Sequence, residues 1–422
     1  MGMKNTQIGM IPEEWDVQSF SDTFRFLNNN TYSRAELNYD SGQFRNIHYG
    51  DVLILFPEVL DCTREDVPYI NDGVRISSSA QPLQDGDVVM ADTAEDETVG
   101  KVTEVTNTSD KPVMAGLHTI PFRVKSGEFV PKWLGYYMNS HLYHDQLLPY
   151  IHGTKVSSVS KGSLGDTVII VPKTSEQEKI VNALSDVDAL IEDLKKLIRK
   201  KTDIRQGTMQ MLLSGKHRLD GYSSLWRTSE LSKVTSRIGV GLATSVTQYY
   251  RDSGTIIFRN LNIKENYLDD TDVLYLDEDF ASRNPNKAIH EGDVLTVHTG
   301  YVGISCVVPK KYDGALTFTT LITTTNKKEL LPEYLSYHLN SSLGHRVIED
   351  LQTSGGRNNL NVSDFEKYTL TFPKDINEQR AIVTVLADMD VEIRKLEEKL
   401  SKYQKVKQGM MEELLTGKVR LM

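Results

Sequence analysis

The chain holds 422 residues, room for two to four domains, and its 39% hydrophobic and 25% charged residues are those of a globular protein. A formal net charge of −10 excludes broad, sequence-independent affinity for nucleic acid. The opening MGMKNTQIGMIPEEW has no apolar run, so neither export nor membrane insertion is expected and a cytoplasmic location follows.

Residues 1–170 read as a first globular part, with 13 Lys/Arg against 23 Asp/Glu. Short β-rich runs at 52–56, 88–90 and 167–171 alternate with turns, the middle one entered through a Gly-Asp turn in DGDVVMADT. A short helix is expected in PKWLGYYMNS, from Pro131 to Ser140. Residues 171–219 form a long helix over 174–214. Its apolar positions Ile180, Leu184, Val187, Ile191, Leu194 and Ile198 step by alternating fours and threes, the a/d seam of a coiled coil. Residues 220–370 are a second globular part, with 15 Lys/Arg against 19 Asp/Glu and β-rich runs at 256–258, 294–297 and 368–372. Residues 371–422 hold a second long helix over 376–415, with a seam of Ile382, Leu386, Met389, Ile393, Leu396 and Leu400.

The second half repeats the first. An offset of 202 carries Glu176–Leu219 onto Glu378–Leu421 without a gap, and an offset of 201 carries Pro131–Ser140 onto Pro332–Ser341. Trp15 corresponds loosely to Trp226, and EGDVLTVHT repeats DGDVVMADT. Ser175 with Glu178 and Asp375 with Glu378 have the spacing of capping boxes, and Gly215 and Gly417 stand where helices end. The expected fold class is α+β: two mixed α/β domains separated by two long helices that pair as an antiparallel coiled coil, with a pseudo-twofold internal repeat. The globular parts diverge far more than the helices, which points to two different ligands of one kind.

Catalytic signatures are missing from the sequence. Gly215-Lys216-His217 and Gly417-Lys418-Val419 lack the earlier glycine and the hydroxyl residue of a phosphate loop. His141 and His144 share a helical spacing without a third metal ligand and read as packing histidines. Cys62 and Cys306 read as buried thiols. Asp186/Asp188 and Asp388/Asp390 read as inter-helix or solvated charges rather than acid–base pairs. The chain reads as a reader or scaffold, not an enzyme, and no metal is expected.

Five features, read together, carry a family resemblance: IGMIPEEWDVQSF, the glycine-marked IHGTKVSSVS and LQTSGGRNNL, the strands VIIVPK and LTFPK, Glu-Gln at each helix start, and the endings LLSGKHRL and LLTGKVRL. Over nearly its whole length the chain resembles the specificity subunits of type I restriction–modification systems. The resemblance implies that each globular part is a target recognition domain reading one half of a bipartite, asymmetric double-stranded DNA site. It implies that the coiled coil spaces the half-sites and docks two modification subunits, with restriction and translocase subunits joining the complex and no membrane involved. S-adenosylmethionine would sit on the modification subunit, ATP and Mg on the restriction subunit, and none of these on this chain, in a DNA-associated prokaryotic protein.

Polar residues in turn-rich segments are the candidates for DNA contact: Arg34, Arg45, Arg75, Lys155 and Lys161 in the first part, and Arg237, Arg251, Arg259, Arg357, Asn358 and Asn359 in the second. Arg reads guanine and Asn reads adenine through bidentate bonds, while Lys holds phosphate. The rival reading is a two-headed protein-binding scaffold without DNA reading.

Overall fold

The computed structural model describes residues 2–151, 156–355 and 359–421. Two compact units form. Residues 1–194 with 399–422 make the first, and residues 195–398 make the second. Each unit therefore holds one globular part, the first half of the long helix that follows it, and the last half of the other long helix.

In the first unit a five-stranded sheet runs in the order Phe24–Phe26, Thr119–Val124, Val88–Ala91, Val102–Thr106, Val59–Asp61, antiparallel except for its last pair. A separate four-stranded sheet runs in the order Val113–Ala115, Arg45–Ile47, Tyr69–Ile70, Leu37–Asn38. The strand Val168–Val171 pairs antiparallel with Asp16–Ser19 and leads into the first long helix. The second unit repeats the plan: Thr235–Val240, Thr320–Thr325, Val294–Val297 and Ser305–Val307 form an antiparallel sheet. There Trp226–Glu230 pairs with Thr369–Pro373 ahead of the second long helix. The architecture is α+β with an internal repeat.

One expected strand is a helix. Residues 52–54 of the run 52–56 belong to the helix Tyr49–Ile54, started by the His48 ring, which accepts from Gly50 N at 3.2 Å, and Leu55 caps its end. Val52 and Phe56 still point inward, into a core shared with Val89 and Ala91. A short apolar run carries no period that separates the two conformations, and the cap decides.

The long helices span Thr174–Leu213 and Ile376–Leu414. Asp375 caps the second through its side chain, which accepts from Asn377 N at 2.8 Å. Ser175 lies inside the first turn of the first helix, so no capping box forms there. Gly215 and Gly417 take φ of 69° and 70°, the left-handed turn that ends a helix and that side chains disfavour. In the first unit, Ile180 and Leu184 are buried in one core with Trp133, Leu414 and Leu415. In the second, Ile382 and Leu386 share a core with Tyr334, Leu212 and Leu213. Farther along, Ile191 and Leu194 are buried, while Val187, Ile198, Met389, Ile393, Leu396 and Leu400 are half-buried. The stripe is thus globular core at each helix start and a mixture of buried and half-buried positions beyond it.

Candidate nucleic-acid interface

The repeated Glu-Gln pair is the joint on which each unit is built. In the first unit Glu176 is buried and accepts from Trp15 Nε1 at 2.9 Å and from the Arg420 fork at 2.5 and 2.8 Å. In the second, Glu378 accepts from Trp226 Nε1 at 3.3 Å and from the Arg218 fork at 2.8 and 2.6 Å. The neighbouring glutamine ties down backbone. Gln177 accepts from Val130 N at 3.0 Å and donates to the carbonyls of Glu128 and Pro172. Gln379 repeats this with Leu331 N at 2.9 Å and the carbonyls of Glu329 and Pro373. Because Glu176 meets Arg420, and Glu378 meets Arg218, the start of one helix faces the end of the other within each unit. That is antiparallel packing.

A second charged contact recurs further along. Lys407 pairs with Asp188 at 2.7 Å and with Glu58 at 2.5 Å, and Tyr136 donates to Asp188 at 2.6 Å. Arg205 pairs with Asp390, to which Tyr337 donates at 2.6 Å. Burial pulls the Lys407 ammonium down, but Glu58 and Asp188 outweigh it and hold its pKa above the ordinary range. Burial, reinforced by the adjacent aspartates, pushes both tyrosine hydroxyls up, so they act as donors. Asp188 and Asp390 are therefore inter-helix contacts, and the contact is repeated with an interchange of Lys and Arg.

Many of the expected DNA-contacting residues are engaged inside their own unit. Arg45 is buried, donating to the carbonyl of Arg64 at 2.6 Å and to the Tyr69 hydroxyl at 2.9 Å. Arg34 forks onto Asp51 at 2.7 and 2.9 Å, which raises its pKa. Arg237 donates to the carbonyls of Ala288 and Asn286, Arg251 to those of Gln248 and Tyr250, and Arg259 to Asp272. Arg75, Lys161 and Asn359 are exposed, with the Lys161 ammonium 5.5 Å from the Phe26 ring centre. Lys155, Arg357 and Asn358 lie outside the described residues. His144 Nε2 sits 2.8 Å from the Val99 carbonyl, a contact within its own unit. Cys62 and Cys306 are free and buried, and burial pushes the Cys62 thiol up to about 12.

Sequence reasoning missed a set of residues that the fold gathers at one place in each unit. In the first, the carbonyl of Asp92 accepts from Val159 N at 2.9 Å, Asp92 N donates to His118 O at 3.1 Å, and Thr93 pairs with Ser158. The His118 ring meets Tyr49 edge-on at 5.2 Å. In the second, the carbonyl of His298 accepts from Leu360 N at 3.0 Å, and Asn260 donates to Thr299 at 2.9 Å. Val159 and Leu360 are thereby fastened beside the loops that follow strands Val88–Ala91 and Val294–Val297. The sequence signal for this place is the repeat itself, in which EGDVLTVHT matches DGDVVMADT.

Among the described residues no group of three or more His, Cys, Asp or Glu is placed to hold a metal ion, and no helix is long and apolar enough to cross a membrane. The two repeated modules share common joints and present unlike surfaces. The family described as type I restriction modification DNA specificity domain matches twice, over residues 12–202 and 226–406, and the chain belongs to that family. It is a DNA sequence-recognition subunit of the type I restriction–modification class, by family a non-catalytic one. A relative in Methanocaldococcus jannaschii, named for the MjaX type I restriction enzyme specificity subunit, is 24% identical over 99% of this chain and 96% of its own. The crystal structure of a type I restriction–modification S subunit from M. genitalium matches with a TM-score of 0.55 at 13% identity, covering 96% of each chain. A chain solved in work on complex assembly and conformational transition of the type I system matches with a TM-score of 0.58 at 16% identity, over 97% of this chain and 99% of that one. At these identities the structural likeness speaks to the fold.

Proposed function

We propose that each unit reads one half of a bipartite, asymmetric DNA site, and that the long helices set the gap between half-sites and dock two modification subunits. The observation that carries this reading is the repeat. The joints Glu176–Arg420 and Glu378–Arg218 are kept at the same offset, while the globular parts between them have diverged. A shared frame with unlike surfaces is what recognition of two different sequences requires. In this reading S-adenosylmethionine belongs to the modification subunit, and ATP and Mg belong to the restriction subunit. The acidic balance of the chain leaves part of the phosphate neutralisation to those partners.

The test is methyl transfer from labelled S-adenosylmethionine to a library of duplex DNA, with the chain alone, the modification subunit alone and the two together. The expected result is transfer only by the assembled pair, confined to one motif of two unlike halves with a fixed gap. Transfer by this chain alone at the rate of the complex, or transfer by the pair without sequence preference, overturns the reading.

A further inference from the structure

Around one face, the two units share a main-chain frame and almost none of the side chains. The bond from Val159 N to Asp92 O in the first unit recurs as Leu360 N to His298 O in the second. His118 and Thr319, 201 positions apart, both hold left-handed backbone, with φ of 51° and 48°. Non-glycine residues seldom adopt that conformation, least of all a β-branched threonine, and such outliers gather at binding sites. Its recurrence at one place in two diverged domains means the course of the loop is kept against residue preference. Tyr49 follows strand Arg45–Ile47 as Asn260 follows Thr255–Phe258, and each leans on this loop region: Tyr49 on the His118 ring, Asn260 on Thr299 and Thr320.

The side chains presented there are unlike. The first unit shows Glu95, Glu97 and His118, all exposed. The second shows Tyr301, which is 85% exposed and flanked by Gly300 and Gly303 at φ of 81° and 100°, together with Asn359. It also holds His298, whose buried Nε2 has no hydrogen-bond partner among the described residues.

We propose that this face is where each unit reads base edges, with Glu95, Glu97 and His118 as determinants of one half-site and His298, Tyr301 and Asn359 of the other. The proposal rests on the DNA-reading function above and names the residues that carry it. Carboxylates accept hydrogen bonds, so the first face selects base pairs that offer the amino group of cytosine or adenine. The three residues named on the second face include no carboxylate and bear donors, with an asparagine able to engage adenine through two bonds. The difference between the faces is then the difference between the half-sites.

Randomised duplex DNA is selected for binding by the full chain assembled with its modification subunit, as wild type, as Tyr301→Ala with His298→Ala, and as Glu95→Gln with Glu97→Gln. Tyr301, Glu95 and Glu97 are exposed and His298 is half-buried, and matched thermal midpoints confirm that each variant is folded. The expected result is a loss of discrimination of roughly 5- to 150-fold at positions within one half-site for each variant pair, a different half-site in each case. Recovery of the wild-type motif by both variant pairs overturns the proposal. So does a uniform loss of affinity with a shallower salt dependence, which marks phosphate contacts instead. If the wild-type assembly itself selects no motif, the DNA-reading function fails, and that result is distinct from wild-type selection left unchanged by the variants.

Discussion

Glu378 has no exposed side-chain surface, and its carboxylate accepts from Arg218, Trp226 and Ser224. Removing it by Glu378→Ala leaves the Arg218 guanidinium and the Trp226 indole N–H without their buried acceptor. Breaking a buried pair from one side costs about 3–5 kcal/mol, and the expected result is a lower urea midpoint with an unchanged slope. Glu378→Gln keeps an acceptor and should lose less; equal losses from both variants would argue that the charge alone matters. A second residue couples the same unit to pH. Burial pulls the His338 pKa down from 6.5 to about 4, and its Nδ1 lies 2.7 Å from the Tyr368 hydroxyl. The folded state keeps the ring neutral while the unfolded chain protonates below about pH 6.5. Stability from this group is therefore complete above pH 6.5 and is lost as pH falls toward 4, by roughly 3 kcal/mol. His338→Gln, which can still bond Tyr368, should flatten that part of the stability profile relative to wild type. Parallel profiles for the two proteins across this interval would refute the assignment.

At the scale of elements, Leu194, the expected seam residue, is 5% exposed, and Leu194→Asp places a carboxylate at a buried position. The cost is several kcal/mol unless its pKa shifts or the helices part. Far-UV circular dichroism should show lost helix, and co-elution with the modification subunit should fail; normal assembly would show that the seam is not the organising contact. The long helices were legible in the sequence because a 3.5-residue stripe persists over many turns and is repeated. The run 52–56 was not, because five residues carry no period and the deciding cap is a histidine. The Glu-Gln pair was visible as a motif, but its physical role was hidden: Glu176 is held by Trp15 and by Arg420, 244 residues away. The cationic candidates were chosen by residue type and turn context, which cannot show that Arg34 is held by Asp51 or that Arg45 is buried under Tyr69. His118, Thr319 and Tyr301 carry no charge pattern at all. Left-handed backbone at one offset marks His118 and Thr319, and exposure between glycines marks Tyr301, both properties of the fold.

At the scale of the molecule, each long helix belongs to both compact units, so its length is a property that neither unit fixes alone. Helices of 40 and 39 residues extend about 60 Å at 1.5 Å per residue. If they act as the ruler for the DNA site, one heptad inserted after Leu194 and another after Leu396 keep the seam in phase. Seven residues add about 10 Å of helix, or about three base pairs at 3.4 Å each. Those base pairs also rotate the far half-site by roughly a third of a turn, given 10–10.5 base pairs per turn. Two demands then compete: the gap must lengthen to fit the coil, and the added twist moves the second half-site off the face its reader can reach. The expected outcome of heptad insertion is reduced modification, and whatever activity survives should fall on a longer gap between unchanged half-sites. Sequencing of methylated sites after insertion provides the readout. An active insertion variant that keeps the original gap, or one that acquires new half-site sequences, would show that the helices do not measure the DNA.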